Sequence, residues 1–307
     1  MKDVPAMNVE MVNTVREDKG ASRMPAKVMD KLATMMMWLA GTIILGILAA
    51  FLLYMLIKGL PVLSWQFVTG MPSDIQAGGG VGPQLFNSFY ILILSMAFSL
   101  PVAVGAGIYL SEYAGKNRLS DVIRLSTESL ATVPSIVLGL FGMILFVNLF
   151  GLGFSILGGA LTLMFLNLPV LVRVTEESLK TVPNAYREAS LALGATKWQT
   201  IYKVVLPNAL PGILTGITLT AGRVLGETAI LIFTAGTTVS RTLPDFDVMA
   251  AGETLAVHMW YVMAIGLVPD RVDIANGIGA LLLITILAFN LLCIIPSKLL
   301  QRKSSLH

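Results

Sequence analysis

Several residue types that soluble enzymes rely on are scarce here. The 307-residue chain has one cysteine, Cys293, and two histidines, His258 and His307. A lone thiol excludes an intramolecular disulfide and a thiolate metal cluster, and Cys293 reads as a small core residue of the last apolar run. Neither histidine has the partners a zinc site needs, so no metal is expected. A Ser–His pair inside an apolar bundle and an H-E-x-x-H motif are both missing, which excludes an intramembrane protease. No G-x-x-x-x-G-K-S/T phosphate loop occurs, so the chain cannot be an ATPase by that route, and no catalytic residue is expected. Charged residues make up only 13%, against about a quarter in ordinary soluble domains. The formal net charge of +3 does not indicate nucleic acid, because Lys and Arg sit in short segments between apolar runs, where membrane topology places them.

With 55% hydrophobic residues, the solvent for most of the chain must be lipid. A helix needs about 20 largely apolar residues to cross the hydrocarbon. Six segments qualify: residues 32–57, 85–110, 129–149, 154–172, 210–235 and 275–296, with Gly151 and Gly153 at the turn between the third and fourth. Residues 1–31 are polar, longer than a signal-peptide n-region, and the next run carries no small-residue cleavage pattern. That run is therefore expected to be retained, behind a cytoplasmic tail 1–31. Residues 255–268 are apolar but short for a span. They are expected to be an interfacial or re-entrant piece, with Trp260 and Tyr261 as interface anchors and His258 outside.

Loop charge orients the bundle, since cytoplasmic loops keep Lys and Arg. With the N-terminus inside, the inner segments hold Lys2, Arg16, Lys19, Arg23, Lys27, Lys31, Lys116, Arg118, Arg124, Arg173, Lys180, Arg187, Lys197, Lys203, Lys298, Arg302 and Lys303. Outside lie only Lys58, Arg241 and Arg271. The expected fold is all-α and integral to the membrane, with six spans in residues 32–297, both termini cytoplasmic, and a C-terminal tail 298–307.

The longest inner loop, 173–209, contains EASLALGATKWQTIYKVVLP. Its charges and the spacing of Ala189, Leu193 and Lys197 predict a short amphipathic helix, with Gly194 as the break before a second. A helix of this kind outside the membrane needs a partner. The stretch resembles the EAA loop of binding-protein-dependent ABC permeases: Glu-Ala-Ala, three residues, Gly, nine residues, then Ile-x-Leu-Pro. Glu188, Ala189, Gly194, Leu206 and Pro207 match, Ser190 replaces the second Ala, and Val204 replaces Ile. The resemblance implies a coupling helix docking on a separate ATPase subunit. A rigid helix transmits displacement where a floppy loop would absorb it.

Arg223 and Glu227 lie within the expected fifth span. At about 1.5 Å per residue from Leu210, Arg223 falls about 20 Å into a core roughly 30 Å thick. An intramembrane ionisable residue is a functional-site candidate, and the i,i+4 spacing predicts a shared helical face on which the two can pair. The fork of a guanidinium suits an oxyanion. The pair reads either as an anion site or as a permanent bridge tying helices together. Pro134 and Pro169 are expected to kink their spans. Thr132, Ser135 and Asn167 read either as polar pathway groups or as helix-to-helix hydrogen bonders, and Gly78–Gly80 either as an anion-binding nest or as a flexible loop.

Residues 76–296 resemble the PstA family, one of the two permease subunits of the high-affinity phosphate importer. The segments that carry this are GGGVGPQLFNSF (78–89), YLSEYAG (109–115), VPSIVLGLFG (133–142), LPVLVRVTEESLKTVP (168–183), the EAA loop and GRVLGETAILIFTAG (222–236). The resemblance implies a MetI-like type I ABC importer permease fold in a bacterial or archaeal cytoplasmic membrane, surrounded by lipid. It implies a sister permease, an ATPase dimer that binds the ATP and Mg, an extracytoplasmic phosphate-binding protein, and phosphate as cargo. It carries the family's intramembrane Arg and acidic pair onto Arg223 and Glu227, and its Arg after the fourth span onto Arg173, which also reads as an ordinary positive-inside anchor. Alternatives are another oxyanion, sulfate or molybdate, or a component that senses phosphate status.

Overall fold

The computed structural model describes residues 26–73, 75–115, 118–238 and 243–304, with side chains from 27 to 293. The expected tail 1–31 lies outside the described residues up to residue 25. The chain divides into two compact units, Met1–Tyr54 and Met55–His307.

Helix α1 (Ala26–Gly59), whose last five residues belong to the second unit, exposes Met35, Trp38, Ile44, Leu48 and Phe51. Apolar side chains all around the axis suit a solvent of lipid.

The second unit is built of helices joined by loops, with no strand among its described residues. A short helix α2 (Trp65–Thr69), capped by the Ser64 hydroxyl on Phe67 N, leads to α3 (Gly82–Ile108). Pro83 sits in the first turn of α3, where its missing N–H costs nothing. A π-helical turn, Tyr109–Tyr113, closes that helix. Next come α4 (Arg118–Ala131), α5 (Ser135–Gly142) with its π-helical extension Met143–Leu149, and α6 (Ile156–Lys180). The EAA loop forms α7 (Asn184–Ala192) and α8 (Lys197–Thr200). A π turn, Ile201–Val205, joins α8 to α9 (Leu206–Leu225), and α10 (Ala229–Thr234), α11 (Leu255–Ala264) and α12 (Arg271–Ser304) complete the chain.

α3 packs along α6, and α9 packs on α6 and α12. Their shared core contains Leu92, Leu163, Leu171, Val224, Leu225 and Ile230. Close approach depends on glycine in the VPSIVLGLFG run: a Cβ on Gly142 would lie 2.8 Å from Thr234 Cγ2 and collide with Thr162 as well. Small residues are how membrane helices gain van der Waals contact, since lipid supplies no hydrophobic drive between them.

Among the described residues five helices are long and apolar enough to cross a membrane, or six if one bent pair is a single span. Three expectations change. The third span is not a rod over 129–149: α4 and the Ser135–Leu149 leg meet at 102°. Pro134 starts the second leg, and the residue before a proline is driven out of the α region. The fifth span is shorter than 210–235: the helical stretch that contains it begins in the EAA loop at Lys197 and ends at Leu225. It stops at Gly226, and α10 is a separate short helix. Pro169 does not interrupt α6.

The third change concerns His258 within 255–268, a segment that is too short for a span as expected. Its first part is α11, with Leu255, Val257, His258 and Val262 buried, packed against α12 and α3. His258 is therefore interior. Its Nδ1 lies 2.8 Å from Glu253 Oε2, which also accepts from Gln84 Nε2 at 3.1 Å. Asn87 Nδ2 donates to Glu253 O, and Ser88 Oγ accepts from Leu255 N. These bonds pin the start of α11 to the first turns of α3. Trp260 is 40% exposed, while Tyr261 stacks on the His258 ring.

Candidate functional site

The EAA loop is two short helices folded against each other. Gly194 takes φ +85°, a left-handed conformation that ends α7 with little strain only for glycine. Thr196 and Gln199 then form a reciprocal capping box that starts α8. Lys197 thus belongs to the second helix, not to the first with Ala189. Ser190, the departure from the EAA pattern, bonds Thr200 through the two hydroxyls at 2.9 Å and ties the helices together. Glu188 and Ala189 are exposed, as are Tyr186, Leu191, Leu193, Trp198 and Tyr202. Val204 and Leu206 are half-buried, Leu206 against Leu179, Val205 and Ala209 of the underlying cluster. Pro207 occupies the first turn of α9. The result is a ledge with an apolar outer surface and an anchored underside.

Beside this ledge, α4 and α6 enclose a cavity of about 400 Å³. Its lining includes Arg124, Arg173 and Lys180, and against them Glu128, Glu176 and Glu177. Glu176 accepts from Arg124 Nη2 at 2.8 Å and from Lys180 Nζ at 2.5 Å, and Arg173 Nε donates to Glu177 at 3.0 Å. The partners of Glu176 are about half exposed, so each bond is worth about 1 kcal/mol or less. Thr127 and Thr132 add hydroxyls to the lining. Of the residues singled out from sequence, this cavity gathers Thr132 and Arg173. Arg124, Glu128, Glu176 and Lys180 were missed, although the i,i+4 spacing of Glu176 and Lys180 was readable.

The remaining candidates lie elsewhere. Arg223 is exposed in the last turn of α9 and makes no ion pair among the described residues. Glu227 is buried beyond the helix end, its Oε1 3.4 Å from Ile230 N of α10. The expected Arg223–Glu227 pair on one helical face is thus corrected: Gly226 breaks the helix between them. Each group instead complements a helix end, the cation at a C-terminus and the carboxylate at an N-terminus. A discontinuous helix carrying ionisable residues at its break is a form that membrane transport sites take. Ser135 opens α5. Asn167 is fully buried, yet neither its Nδ2 nor its Oδ1 has a partner, so neither expectation for it is met by a visible bond. Gly78 donates its N–H to Asp270 Oδ2 at 2.9 Å, so a carboxylate of this chain occupies that donor.

The family model for the inner membrane component of binding-protein-dependent transport systems matches residues 99–305. A probable ABC transporter permease of Bacillus subtilis, YqgI, is 48% identical over 279 residues, covering 87% of this chain and 95% of that protein. The phosphate transport system permease protein PstA of Xylella fastidiosa is 41% identical over 178 residues, 58% of this chain and 62% of PstA. The Haemophilus influenzae PstA is 38% identical over 63% of this chain and 69% of its own length. Among solved structures, a bacterial alginate ABC transporter gives a TM-score of 0.63 at 15% identity, covering 87% of this chain and 94% of that one. The inward-facing MetNI methionine ABC transporter gives 0.59 at 19%, covering 71% and 94%. At these identities the structures share the fold.

Proposed function

The chain belongs to the family of binding-protein-dependent transport system inner membrane components, and from that premise we propose that it is the permease subunit of an ATP-driven phosphate importer. The observation that carries the cargo is the set of phosphate transport system permeases among its relatives, at 36–41% identity. Arg223 supports it: an exposed guanidinium with no ion pair among the described residues, at a helix break, is equipped to receive an oxyanion. The cavity at Arg124, Arg173 and Lys180 lies at the coupling-loop end, and there an anion would compete with Glu176 and Glu177 for these cations.

In this reading a sister permease forms the rest of the path, and a phosphate-binding protein delivers cargo from outside. The ledge 184–207 docks on a separate ATPase dimer, which holds the ATP and Mg. The chain's own chemistry is electrostatic guidance, with no catalytic residue and no metal. The concentration of Lys and Arg at the coupling-loop end favours both termini in the cytoplasm of a bacterial or archaeal cell.

The test is uptake of radiolabelled inorganic phosphate by cells carrying the full transporter, with sulfate and molybdate as competitors. Phosphate uptake that only unlabelled phosphate suppresses supports the reading. Uptake of sulfate or molybdate without competition by phosphate replaces the cargo while leaving the permease role standing.

A further inference from the structure

Arg187 precedes the EAA residues, and nothing in the EAA pattern assigns it a role. Its guanidinium is largely buried, with 17% of the side chain exposed. Nη2 donates to Glu112 Oε1 at 2.7 Å and Nε to Glu112 Oε2 at 3.2 Å, a two-pronged bridge. Nη1 donates to Val182 O at 2.6 Å, and Nη2 also to Leu179 O at 2.8 Å. Those carbonyls lie at the C-terminal end of α6, where backbone acceptors lack helical partners. One side chain on α7 therefore grips the ends of two spans, α3 through a carboxylate and α6 through its backbone.

Glu112 sits in the π turn Tyr109–Tyr113, and the next residue reaches the other arm of the loop: Lys197 Nζ stands 4.4 Å over the Tyr113 ring. The turn thus holds α7 through Glu112 and α8 through Tyr113. A π turn spaces side chains differently from an α turn and often marks a functional position. Glu112 is itself 92% buried at the side chain and receives the Ser111 hydroxyl at 3.2 Å. Bidentate, charge-assisted bonds fix orientation as well as distance.

We infer that the π turn Tyr109–Tyr113 is the receiver of the coupling loop. Glu112–Arg187 and Tyr113–Lys197 make the loop and α3 move as one body, so displacement of the loop by the ATPase reaches the far end of α3. There the same helix is bonded through Gln84 and Asn87 to Glu253 and so to α11. Arg187 is a positioning residue for coupling. The inference rests on the permease reading but not on phosphate as cargo.

The test uses the whole transporter in lipid nanodiscs with Cys293→Ser, and spin labels on Ala192→Cys in α7 and Gly115→Cys beyond the π turn, where a side chain meets open space. Distances are read by pulsed electron resonance without nucleotide and with ATP plus vanadate. The expected result is one narrow distance, the same in both states. Arg187→Met broadens it, and Arg187→Lys, which keeps the charge but loses the fork, falls between. A distance that changes with nucleotide in the parent, or that Arg187→Met leaves narrow and unmoved, overturns the inference. If Arg187→Met does not assemble, Glu112→Gln and Tyr113→Leu are judged by the same readout. With the same complexes reconstituted into sealed proteoliposomes, phosphate moved per ATP hydrolysed falls about tenfold in Arg187→Met, the scale of losing a buried charge-assisted bond. A parent that moves no phosphate refutes the cargo, while the label distances still decide the linkage.

Discussion

Glu176→Gln tests whether the cavity between α4 and α6 serves a passing anion. The wild-type lining sets Arg124, Arg173 and Lys180 against Glu128, Glu176 and Glu177, three formal charges of each sign. The substitution leaves one net positive charge. Two effects compete. Arg124 and Lys180 lose a shared carboxylate, but both are about half exposed, so the loss in stability is roughly 1 kcal/mol. That corresponds to a fall of about 2–4 °C in the midpoint of thermal unfolding. Against this, an anion in the cavity now meets an uncompensated cation. At 4 Å the attraction runs from about 1 kcal/mol in a water-like dielectric to about 4 kcal/mol near a protein surface. Arg124, Arg173 and Lys180 are about half exposed or more, so the lower part of that range applies, and about 1.4 kcal/mol is a factor of ten in affinity. An exit site that holds its cargo tenfold longer slows release. In transport of labelled phosphate by reconstituted complex, Glu176→Gln should lower KM and kcat together. The thermal shift of the purified complex should be small, and added salt should relieve the effect. A raised KM at unchanged kcat, or a large drop in stability with no kinetic change, would refute the reasoning.

Other outcomes follow from individual residues. Arg223→Gln should abolish phosphate uptake while the complex still co-purifies with its ATPase, because the exposed guanidinium has no ion pair to lose among the described residues; normal uptake removes it from the path. Gly194→Ala should cost about 1 kcal/mol at a left-handed position. Gly194→Pro, whose φ is locked near −65°, should distort the loop and cut substrate-stimulated ATP hydrolysis, and full stimulation in that variant counts against the loop's role. Asn167→Leu should raise the unfolding midpoint, since two unpaired buried amide atoms cost about 1–3 kcal/mol each. A lowered midpoint would mean that Asn167 has a partner in the assembled complex, and lost uptake with a raised midpoint would make it a pathway group.

Much of the fold was legible because membrane constraints act locally. Long apolar runs can only be spans, and the spacing from Glu188 to Pro207 announced a helix, a break at Gly194 and a second helix. The broken third span was half legible. Pro134 marked the bend, but Ser129–Ala131 are apolar enough to read as span, while their helix, α4, packs on α6 at 102° to the next leg. The Arg223–Glu227 pair failed for a similar reason. Spacing of four residues means a shared face only while the helix continues, and Gly226 stops it. His258 was misplaced because a short apolar segment looks interfacial until Glu253 and Gln84 are seen to bury it.

From its composition and motifs alone the chain settled its apolar helical character, most of its candidate spans and the two-helix form of the loop after α6. These properties follow from rules that operate within one segment: hydropathy over a span's length, a glycine's positive φ, a proline's fixed one. Tertiary structure decided which charges meet. Glu112 and Arg187 lie 75 residues apart in sequence, Arg124 and Glu176 52, and Gln84 and Glu253 169. No local periodicity encodes such pairs. They exist because helices packed on small residues bring distant side chains into a medium where an unpaired charge is costly, so each must find the partner the fold supplies.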